Sequence, residues 1–313
     1  MLARIRRRLL RPAAAPNVDL RGQRAVVTGV SAGSLGAETA ATLAAWGATV
    51  VVTRRAGAAA AARELEQRSG ATVHGYDLDL ANARSVREFA RWYEGALGNE
   101  LDVLVNNAGI HLDLLSEWEA PRLSPDGFET QWRTNYLGSF QLTLALLPAL
   151  LAAGARTGDA RVVNVASHLH HKGRNADLFA AREPYDSWAA YGASKLAMIH
   201  AAFELERRHG AQGVHGYALH PGAVFTNVAS VGLAGHGGLA RVRTMLAPVE
   251  RFFLLTPEEG AQTSVFCATA PDLAGGRYFT ACAECDASAD TRDAAAAARL
   301  WDASAAWVRS LRP

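Results

Sequence analysis

Cysteine is scarce in this chain. Only three cysteines occur among 313 residues, at Cys267, Cys282 and Cys285. So few cannot form a disulfide framework, and a content this low suits a reducing compartment, so we expect a cytoplasmic location. Cys282 and Cys285 form a C-x-x-C pair, but a structural zinc site needs about four ligands. We therefore expect free thiols, with a redox pair or a disulfide as the alternative, and no metal site.

Long hydrophobic runs and an excess of one charge are also missing. No apolar stretch approaches the roughly 18 residues of a membrane span. The 32 basic and 30 acidic residues leave a net charge of +2, which argues against a broad nucleic-acid surface. Five arginines nevertheless lie within residues 1–11. We interpret residues 1–18 as a basic, Ala/Pro-rich tail that is either solvated or makes weak peripheral contact with an anionic membrane.

What the chain does contain is a regular alternation of helical stretches and short apolar strands. After a first strand at Arg24–Gly29, six helical stretches each lead into a strand, and the last strand lies near Arg277–Phe279. Such βα repeats require parallel strands. We predict one domain over residues 19–313, a Rossmann-type, doubly wound, seven-stranded parallel sheet with helices on both faces. The long connections at about 168–187 and 223–249 are predicted substrate loops.

These two loops carry apolar side chains that could form the wall of a hydrophobic pocket. The candidates are Phe179, Tyr185, Phe225, Val228, Leu233 and Leu239.

A glycine-rich loop follows the first strand and opens the first helix. It reads Thr28-Gly29-Val30-Ser31-Ala32-Gly33-Ser34-Leu35-Gly36. Glycines in this context let the backbone approach a diphosphate, which then lies at the positive end of the helix.

The end of the second strand indicates which dinucleotide would bind. An acidic residue there would bind the ribose hydroxyls, but the chain has Thr53-Arg54-Arg55. A guanidinium group suits a ribose 2′-phosphate. We therefore predict NADP(H) in preference to NAD(H), which remains possible. The alternative is that both arginines only solvate the start of a helix.

Tyr191 and Lys195 are four residues apart, and so lie one turn apart on one helix face. An ammonium group beside a phenol favours the phenolate and should lower the tyrosine pKa from about 10. The pair is a candidate proton donor and acceptor for a carbonyl or an alcohol. In an alanine-rich helix the same spacing also suits a surface pair.

Seven short strings occur in one order along the chain, and together they resemble the short-chain dehydrogenase/reductase family. They are Thr28-Gly29, Asp79-Leu80, Asn106-Asn107-Ala108-Gly109, Asn135-Tyr136-Leu137-Gly138, Asn164-Val165-Ala166-Ser167, Tyr191-Gly192-Ala193-Ser194-Lys195 and His220-Pro221-Gly222. The resemblance covers roughly residues 20–310. It is strongest to the branch of retinol dehydrogenases and the WW-domain oxidoreductase, because Tyr191 follows Ser167 by 24 positions.

This resemblance implies an enzyme that interconverts a ketone or aldehyde and an alcohol on a bulky hydrophobic substrate, such as a retinoid, steroid or aromatic polyketide. It also makes a homodimer possible, through the helices at about 125–153 and 188–209.

The resemblance also implies roles for individual residues. Tyr191 would be the general acid/base, Lys195 would bind the nicotinamide ribose, Ser167 would hold the substrate oxygen, and Asn135 would hold a water. Beside Tyr191 and Lys195, the implied cofactor contacts are Gly29, Ser31, Gly33, Ser34, Leu35, Gly36, Thr53, Arg54, Arg55, Asp79, Leu80, Asn107, Ala108, Gly109, Pro221, Gly222, Val224 and Thr226.

The glycine loop departs from the family pattern Thr-Gly-x-x-x-Gly-x-Gly by one extra residue between its last two glycines. This residue must bulge outward or shift Gly33 relative to the diphosphate. The Gly33-x-x-Gly36 half resembles sugar-nucleotide-modifying relatives, which leaves an epimerase as a minor alternative. The main alternative function is a catalytically silent NADP-binding regulator or scaffold, which would have no physical need for the complete catalytic set.

Overall fold

The computed structural model of the protein describes residues 13–113, 115–179, 183–224 and 254–311. Eight strands form one sheet in the order β3-β2-β1-β4-β5-β6-β7-β8. Their bounds are β1 Arg24–Thr28, β2 Thr49–Arg54, β3 Val73–Asp77, β4 Val103–Asn106, β5 Ala160–Val165, β6 Val214–His220, β7 Arg277–Thr280 and β8 Ala283–Glu284.

The first seven strands are parallel, and β8 pairs antiparallel with β7 at the edge of the sheet. The predicted doubly wound α/β fold is confirmed, and the strand count is eight rather than seven. β8 is only two residues long and follows a tight turn in which Ala281 and Cys282 adopt positive φ. Such a short polar edge strand has no periodicity by which a sequence could reveal it.

Seven helices of two turns or more surround the sheet within the described ranges. Their bounds are α1 Leu35–Ala45, α2 Ala58–Ser69, α3 Ala83–Leu97, α4 Gly138–Thr157, α5 Ser187–His209, α6 Pro257–Thr269 and α7 Ala294–Ser310. A short turn at Thr130–Trp132 and a π-helical turn at Arg133–Leu137 precede α4. Helix α7 lies beyond the six helical stretches that the sequence analysis predicts.

The central strands are apolar because helices cover both of their faces. Val50, Val51 and Val52 of β2 are all fully buried, as is every residue of β4. Strand β1 lies between β2 and β4, so the strand order reverses at that point. In open α/β sheets this reversal opens a crevice at the carboxyl ends of the strands, and the functional residues are found there.

Helix α7 packs across α5 and α4. Trp301 on α7 contacts Phe140 edge to face, with 4.9 Å between ring centroids, and Ser304 hydrogen-bonds with Tyr136 at 2.8 Å. Arg208 on α5 also pairs with Asp302. Helix α7 therefore covers part of α4 and α5 within the monomer. The homodimer through these two helices remains a prediction.

The continuous helical region Thr130–Thr157 is long and apolar enough to cross a membrane, but 67% of its most apolar window is buried inside the protein. It serves here as a core helix between the sheet, α3 and α7. Residues 1–12, most of the predicted basic tail, lie outside the described ranges. The tail already joins the domain at Ala15, whose amide donates to the Gln262 side chain on α6 at 3.0 Å.

Candidate active site

A cleft of about 820 Å³ opens at the carboxyl ends of the central strands. Three of the four predicted catalytic residues, Ser167, Tyr191 and Lys195, line it. Most of the predicted cofactor contacts line it as well, namely Gly29, Ser31, Ser34, Leu35, Thr53, Arg54, Arg55, Asp79, Leu80, Asn107, Ala108, Gly109, Pro221, Gly222 and Val224. Gly33 and Gly36 are not among the lining residues within the described ranges, and Thr226 lies outside those ranges.

The longer glycine loop ends in a turn that caps helix α1. The Ser34 amide donates to the Ser31 carbonyl at 3.0 Å, and the Ser34 hydroxyl accepts from the amides of Ser31 and Ala37. Ser34 thereby caps α1. Gly33 adopts a φ of +65°, and a Cβ there would meet nothing within 4 Å. Ser34 and Leu35, the two residues between Gly33 and Gly36, both line the cleft, so the outward bulge and the shift of Gly33 both stay predictions.

Gly29 and Gly36 are required for close packing rather than for flexibility alone. A Cβ on Gly29 would lie 2.6 Å from Ala108 Cα, and a Cβ on Gly36 would lie 2.5 Å from Asn107 Nδ2. The loops after β1 and β4 are thus in direct contact. This backbone-lined cradle at the start of α1 is the feature that a dinucleotide diphosphate needs.

Arg54 and Arg55 lie at the end of β2, at the edge of the same cleft. Among the residues that the structure describes, neither guanidinium group has an ion-pair partner. Asp77, the nearest acidic position along β3, instead accepts from the Ala58 amide at 2.7 Å. Two unpaired cations beside the cradle fit the phosphate of an NADP-type dinucleotide. The residues present therefore fit the cofactor that the sequence predicts.

Asn135 lies in the π-helical turn and is fully buried directly behind the cleft. Its Nδ2 donates to the Ile110 carbonyl and to the Ser194 hydroxyl, both at 3.0 Å, while its Oδ1 accepts from the Ile110 amide at 2.8 Å. Turns of this kind occur frequently at functional sites. Asn135 therefore joins the loop after β4 to helix α5, which carries Tyr191 and Lys195.

Ser167, Tyr191 and Lys195 come together at the centre of the cleft. Ser167 follows β5, lines the same cleft as Tyr191, and lies close enough to the phenol to lower its pKa. Lys195 is only 3% exposed. Its Nζ donates to the Val165 carbonyl at 2.9 Å and lies 5.7 Å from the centroid of the Tyr191 ring. The serine and the tyrosine can therefore act on one oxygen atom, with the lysine beneath them.

The predicted lowering of the tyrosine pKa is wrong for the protein by itself. Burial raises the pKa of Tyr191 to about 12, and the hydrogen bond with Ser167 offsets only part of that rise. Burial also lowers the pKa of Lys195 to about 8. The sequence argument considered only the attraction between two charges, whereas both groups lose their hydration when they are enclosed by protein.

His170 supports Ser167 from behind. Its Nε2 accepts a hydrogen bond from the Ser288 amide at 3.0 Å, so its proton must lie on Nδ1, which donates to the Ser167 carbonyl at 2.7 Å. Burial lowers the pKa of His170 to about 4, which keeps the ring neutral. The fully buried ring thus connects the catalytic loop to the segment that leads into α7.

The sequence analysis did not identify several residues that line the cleft near Tyr191. They are Ile110, His111, Thr134, Leu169, Trp188 and His220. Each lies beside or within one of the family strings, and this proximity is the only sequence signal that could have indicated them. The predicted apolar wall is only partly seen, because four of its six residues lie within residues 225–253, outside the described ranges. Phe179 is 51% exposed, and Tyr185 bonds Glu129.

The other candidate sites are a metal site and the C-x-x-C pair. Within the described ranges, no three or more histidine, cysteine or acidic residues are grouped to hold a metal ion. All three cysteines are free thiols, and burial raises the pKa of each. The pairing state of Cys282 and Cys285 in solution stays a prediction.

Substitution Gly36→Ala should weaken NADPH binding by about tenfold or more. The new Cβ would displace Asn107 Nδ2, which is held by the carbonyls of Thr28 and Gly29, and would disturb the diphosphate cradle. Gly33→Asn is the matched control, because Asn tolerates positive φ and the position has open space. Dissociation constants from NADPH fluorescence would measure both variants. Equal losses in the two variants would contradict the assignment of Gly36 to the cradle.

Substitution Lys195→Met should raise the free energy of unfolding of the cofactor-free protein at pH 7 by roughly 1–3 kcal/mol. The folded-state pKa of about 8 lies below the ordinary lysine pKa of 10.5, so the unfolded chain binds more protons between those pH values. Wild-type stability relative to the variant should therefore rise between about pH 8 and pH 10.5. Urea unfolding at pH 7, 8.5 and 10 measures this, and a pH-independent difference would refute it.

Comparisons with known proteins agree with the fold and the site. A family model described as short chain dehydrogenase matches residues 23–232. The chain is 40% identical over 312 residues to a polyprenol dehydrogenase of Mus musculus, covering 96% of this chain and 88% of the relative. It is 37% identical over 300 residues to retinol dehydrogenase 12 of Homo sapiens, covering 92% of this chain and 87% of the relative.

Solved structures give the same result. A putative uncharacterized protein from Mycobacterium paratuberculosis superposes with a TM-score of 0.68 and 31% identity, covering 96% of this chain and 97% of that one. The Pseudomonas aeruginosa RhlG/NADP active-site complex superposes with a TM-score of 0.64 and 25% identity, covering 84% and 96%. The chain belongs to the short-chain dehydrogenase/reductase family, resembles its retinol dehydrogenase branch, and is an NAD(P)-dependent oxidoreductase of alcohols and carbonyl compounds.

Proposed function

We propose that the protein is an NADP(H)-dependent ketoreductase that interconverts a ketone or aldehyde and an alcohol on a bulky hydrophobic substrate, with Tyr191 as general acid/base. The observation that carries this proposal is the convergence of Ser167, Tyr191 and the buried Lys195 in one cleft with a diphosphate cradle. A regulator that only bound a nucleotide would have no use for a buried lysine beside a buried tyrosine, since both cost stability.

The chain's own residues would divide the chemistry as follows. When bound, the nicotinamide supplies or takes up a hydride at the reacting carbon. The Ser167 hydroxyl donates a hydrogen bond to the substrate oxygen, and Tyr191 passes its proton to that oxygen during reduction. In the reverse direction Tyr191 accepts the proton of the alcohol. Lys195 stabilises the phenolate that forms when the tyrosine has lost its proton.

The raised pKa of Tyr191 fits its role as a proton donor. A phenol whose pKa is about 12 is protonated at neutral pH and can donate a proton to the substrate oxygen during reduction.

The preference for NADP(H) over NAD(H) is supported by Arg54 and Arg55, which lie at the cleft edge without a described acidic partner. The hydrophobic substrate is supported by the apolar residues near Tyr191, which include Ile110, Leu169 and Trp188. The names of the relatives point the same way, since a polyprenol dehydrogenase and a retinol dehydrogenase are named for apolar alcohols. A retinoid, a steroid or an aromatic polyketide remains the proposed class.

We also propose a cytoplasmic location, supported by the low cysteine content, with no nucleic-acid partner and at most weak membrane contact through the basic tail. A Δ1–12 truncation examined by cell fractionation and by flotation with anionic vesicles would test the tail.

Substitution Tyr191→Phe should lower kcat for ketone reduction by about 10²–10⁴-fold, since the proton donor is lost, and should leave NADPH affinity within about twofold. The measurement is NADPH oxidation followed by absorbance with a panel of apolar ketones. Tyr76→Phe, on β3 and outside the described cleft lining, is the control for losing a phenol hydroxyl. Absence of wild-type turnover on the whole panel, with NADPH binding intact, would favour the silent cofactor-binding protein instead.

Substitution Arg54→Ala should reduce the preference for NADPH over NADH by about 10–100-fold, as expected when a charged hydrogen bond to phosphate is lost. NADH affinity should change little, because that dinucleotide lacks the 2′-phosphate. Arg63→Ala removes an exposed arginine from α2 and controls for the change in net charge. An unchanged cofactor ratio in both Arg54→Ala and Arg55→Ala would rule out these arginines as the phosphate site.

A further inference from the structure

The His111 side chain stacks against the ring of Tyr191. The two rings are nearly parallel, at 18°, with 4.6 Å between their centroids. Trp188, one turn before Tyr191 on α5, meets the His111 ring edge to face at 4.5 Å. All three residues line the cleft. His111 is therefore part of the wall against which a substrate held by Tyr191 must lie.

The His111 ring carries a polar atom that the protein does not satisfy. The side chain is 2% exposed, and its Nε2 is buried with no hydrogen-bond partner among the described residues. The nearby Asp113 carboxylate is engaged by the amides of Glu117 and Trp118. Burial lowers the pKa of His111 to about 4, so the ring is neutral at pH 7 and has one donor and one acceptor nitrogen.

An imidazole at this position costs stability that a phenyl ring would not. A phenylalanine could fill the same place against Tyr191 without leaving a polar atom unpaired. Buried polar groups without a hydrogen-bond partner are rare in native proteins. Residues that break such a packing rule tend to lie at functional sites. The cost is explained if Nε2 is paired when the cleft is filled.

We propose that His111 is a specificity-determining residue whose Nε2 hydrogen-bonds a second oxygen of the substrate. This inference rests on the proposed function, which places the reacting carbonyl at Tyr191 and Ser167. The second oxygen belongs near the reacting carbon, because the His111 ring stacks directly on the catalytic phenol. The substrate class is then an apolar ketone or alcohol that carries an additional hydroxyl or carbonyl oxygen, such as a hydroxyketone or a diketone.

The apolar surface around Tyr191 makes His111 Nε2 selective for substrates with a second oxygen near the reacting carbon. Ile110, Leu169 and Trp188 offer apolar surface close to Tyr191, so a second oxygen elsewhere on the substrate would lose its hydration without compensation. A site built to hydrogen-bond an oxygen also rejects the analogue that lacks it, because its own polar group then stays unpaired.

The test compares 2-hydroxyacetophenone with acetophenone, which differ by one hydroxyl group. Dissociation constants are measured by calorimetry on the full chain with saturating NADP⁺, so the readout does not depend on turnover. The wild type should bind the hydroxyketone about tenfold more tightly. His111→Phe should bring that ratio close to one and raise the melting temperature, because the ring stays and the unpaired nitrogen is removed.

A second pair of variants separates the ring from the polar atom. His111→Gln keeps a donor and an acceptor without the ring and should retain part of the preference, whereas the similarly sized His111→Leu should lose it. This pair also decides the question if the phenylalanine variant does not fold. A wild-type ratio near one, or a ratio that neither apolar variant changes, overturns the proposal. Absence of ketone turnover with the binding preference intact would defeat the proposed reaction and leave the His111 contact standing.

Discussion

The contact between the loops after β1 and β4 is the constraint on which the site depends. Thr28 Oγ1 accepts hydrogen bonds from the amides of Asn107 and Ala108 at 3.1 and 3.0 Å. Asn107 Nδ2 donates a hydrogen bond to the Thr28 carbonyl at 2.7 Å. The two backbones approach so closely that only glycine fits at Gly29. This junction lies where the strand order reverses, so it forms the floor of the cleft.

The same junction positions the catalytic residues. The loop after β4 continues through Gly109, where a Cβ would lie 3.0 Å from Lys195 Nζ. At the next residue, Ile110, both the amide and the carbonyl are hydrogen-bonded by the Asn135 side chain. Asn135 in turn bonds Ser194 on α5. A chain of short contacts thus runs from the glycine loop to Tyr191. Small displacements at the cradle would be transmitted to the reacting groups, since packed interiors transmit strain.

Burial explains the electrostatic character of the site. Burial raises the pKa of Tyr191 and lowers the pKa of Lys195, so it favours the neutral form of both groups. His111 and His170 are likewise kept neutral by burial. The two histidines differ in one respect, because both nitrogens of His170 are bonded whereas Nε2 of His111 has no partner among the described residues. The first is a structural support, and the second has hydrogen-bonding capacity left for a ligand.

Much of the architecture was predictable from the sequence, because alternating βα periodicity is a local property. The strand–glycine loop–helix unit and the parallel sheet followed from spacing and motif, and the grouping of Ser167 with Tyr191 and Lys195 followed from the family resemblance. Two features were missed. Strand β8 has only two residues and so has no periodicity, whereas helix α7 was missed although its alanine-rich sequence and its N-cap Asp293 are local helix signals. The glycine loop was recognised as one residue too long, and its composition left open where the extra residue would go.

The tertiary structure decided what depends on contacts between distant segments. It set the conformation of the longer glycine loop through the Ser31–Ser34 turn. It reversed the expected pKa direction of Tyr191, because desolvation of the buried phenol raises its pKa more than the interaction with Ser167 lowers it. It also brought His111 against Tyr191, 80 positions later in the chain. Sequence determines which groups are present and their local periodicity, whereas burial and stacking arise only when the chain folds and removes water from between them.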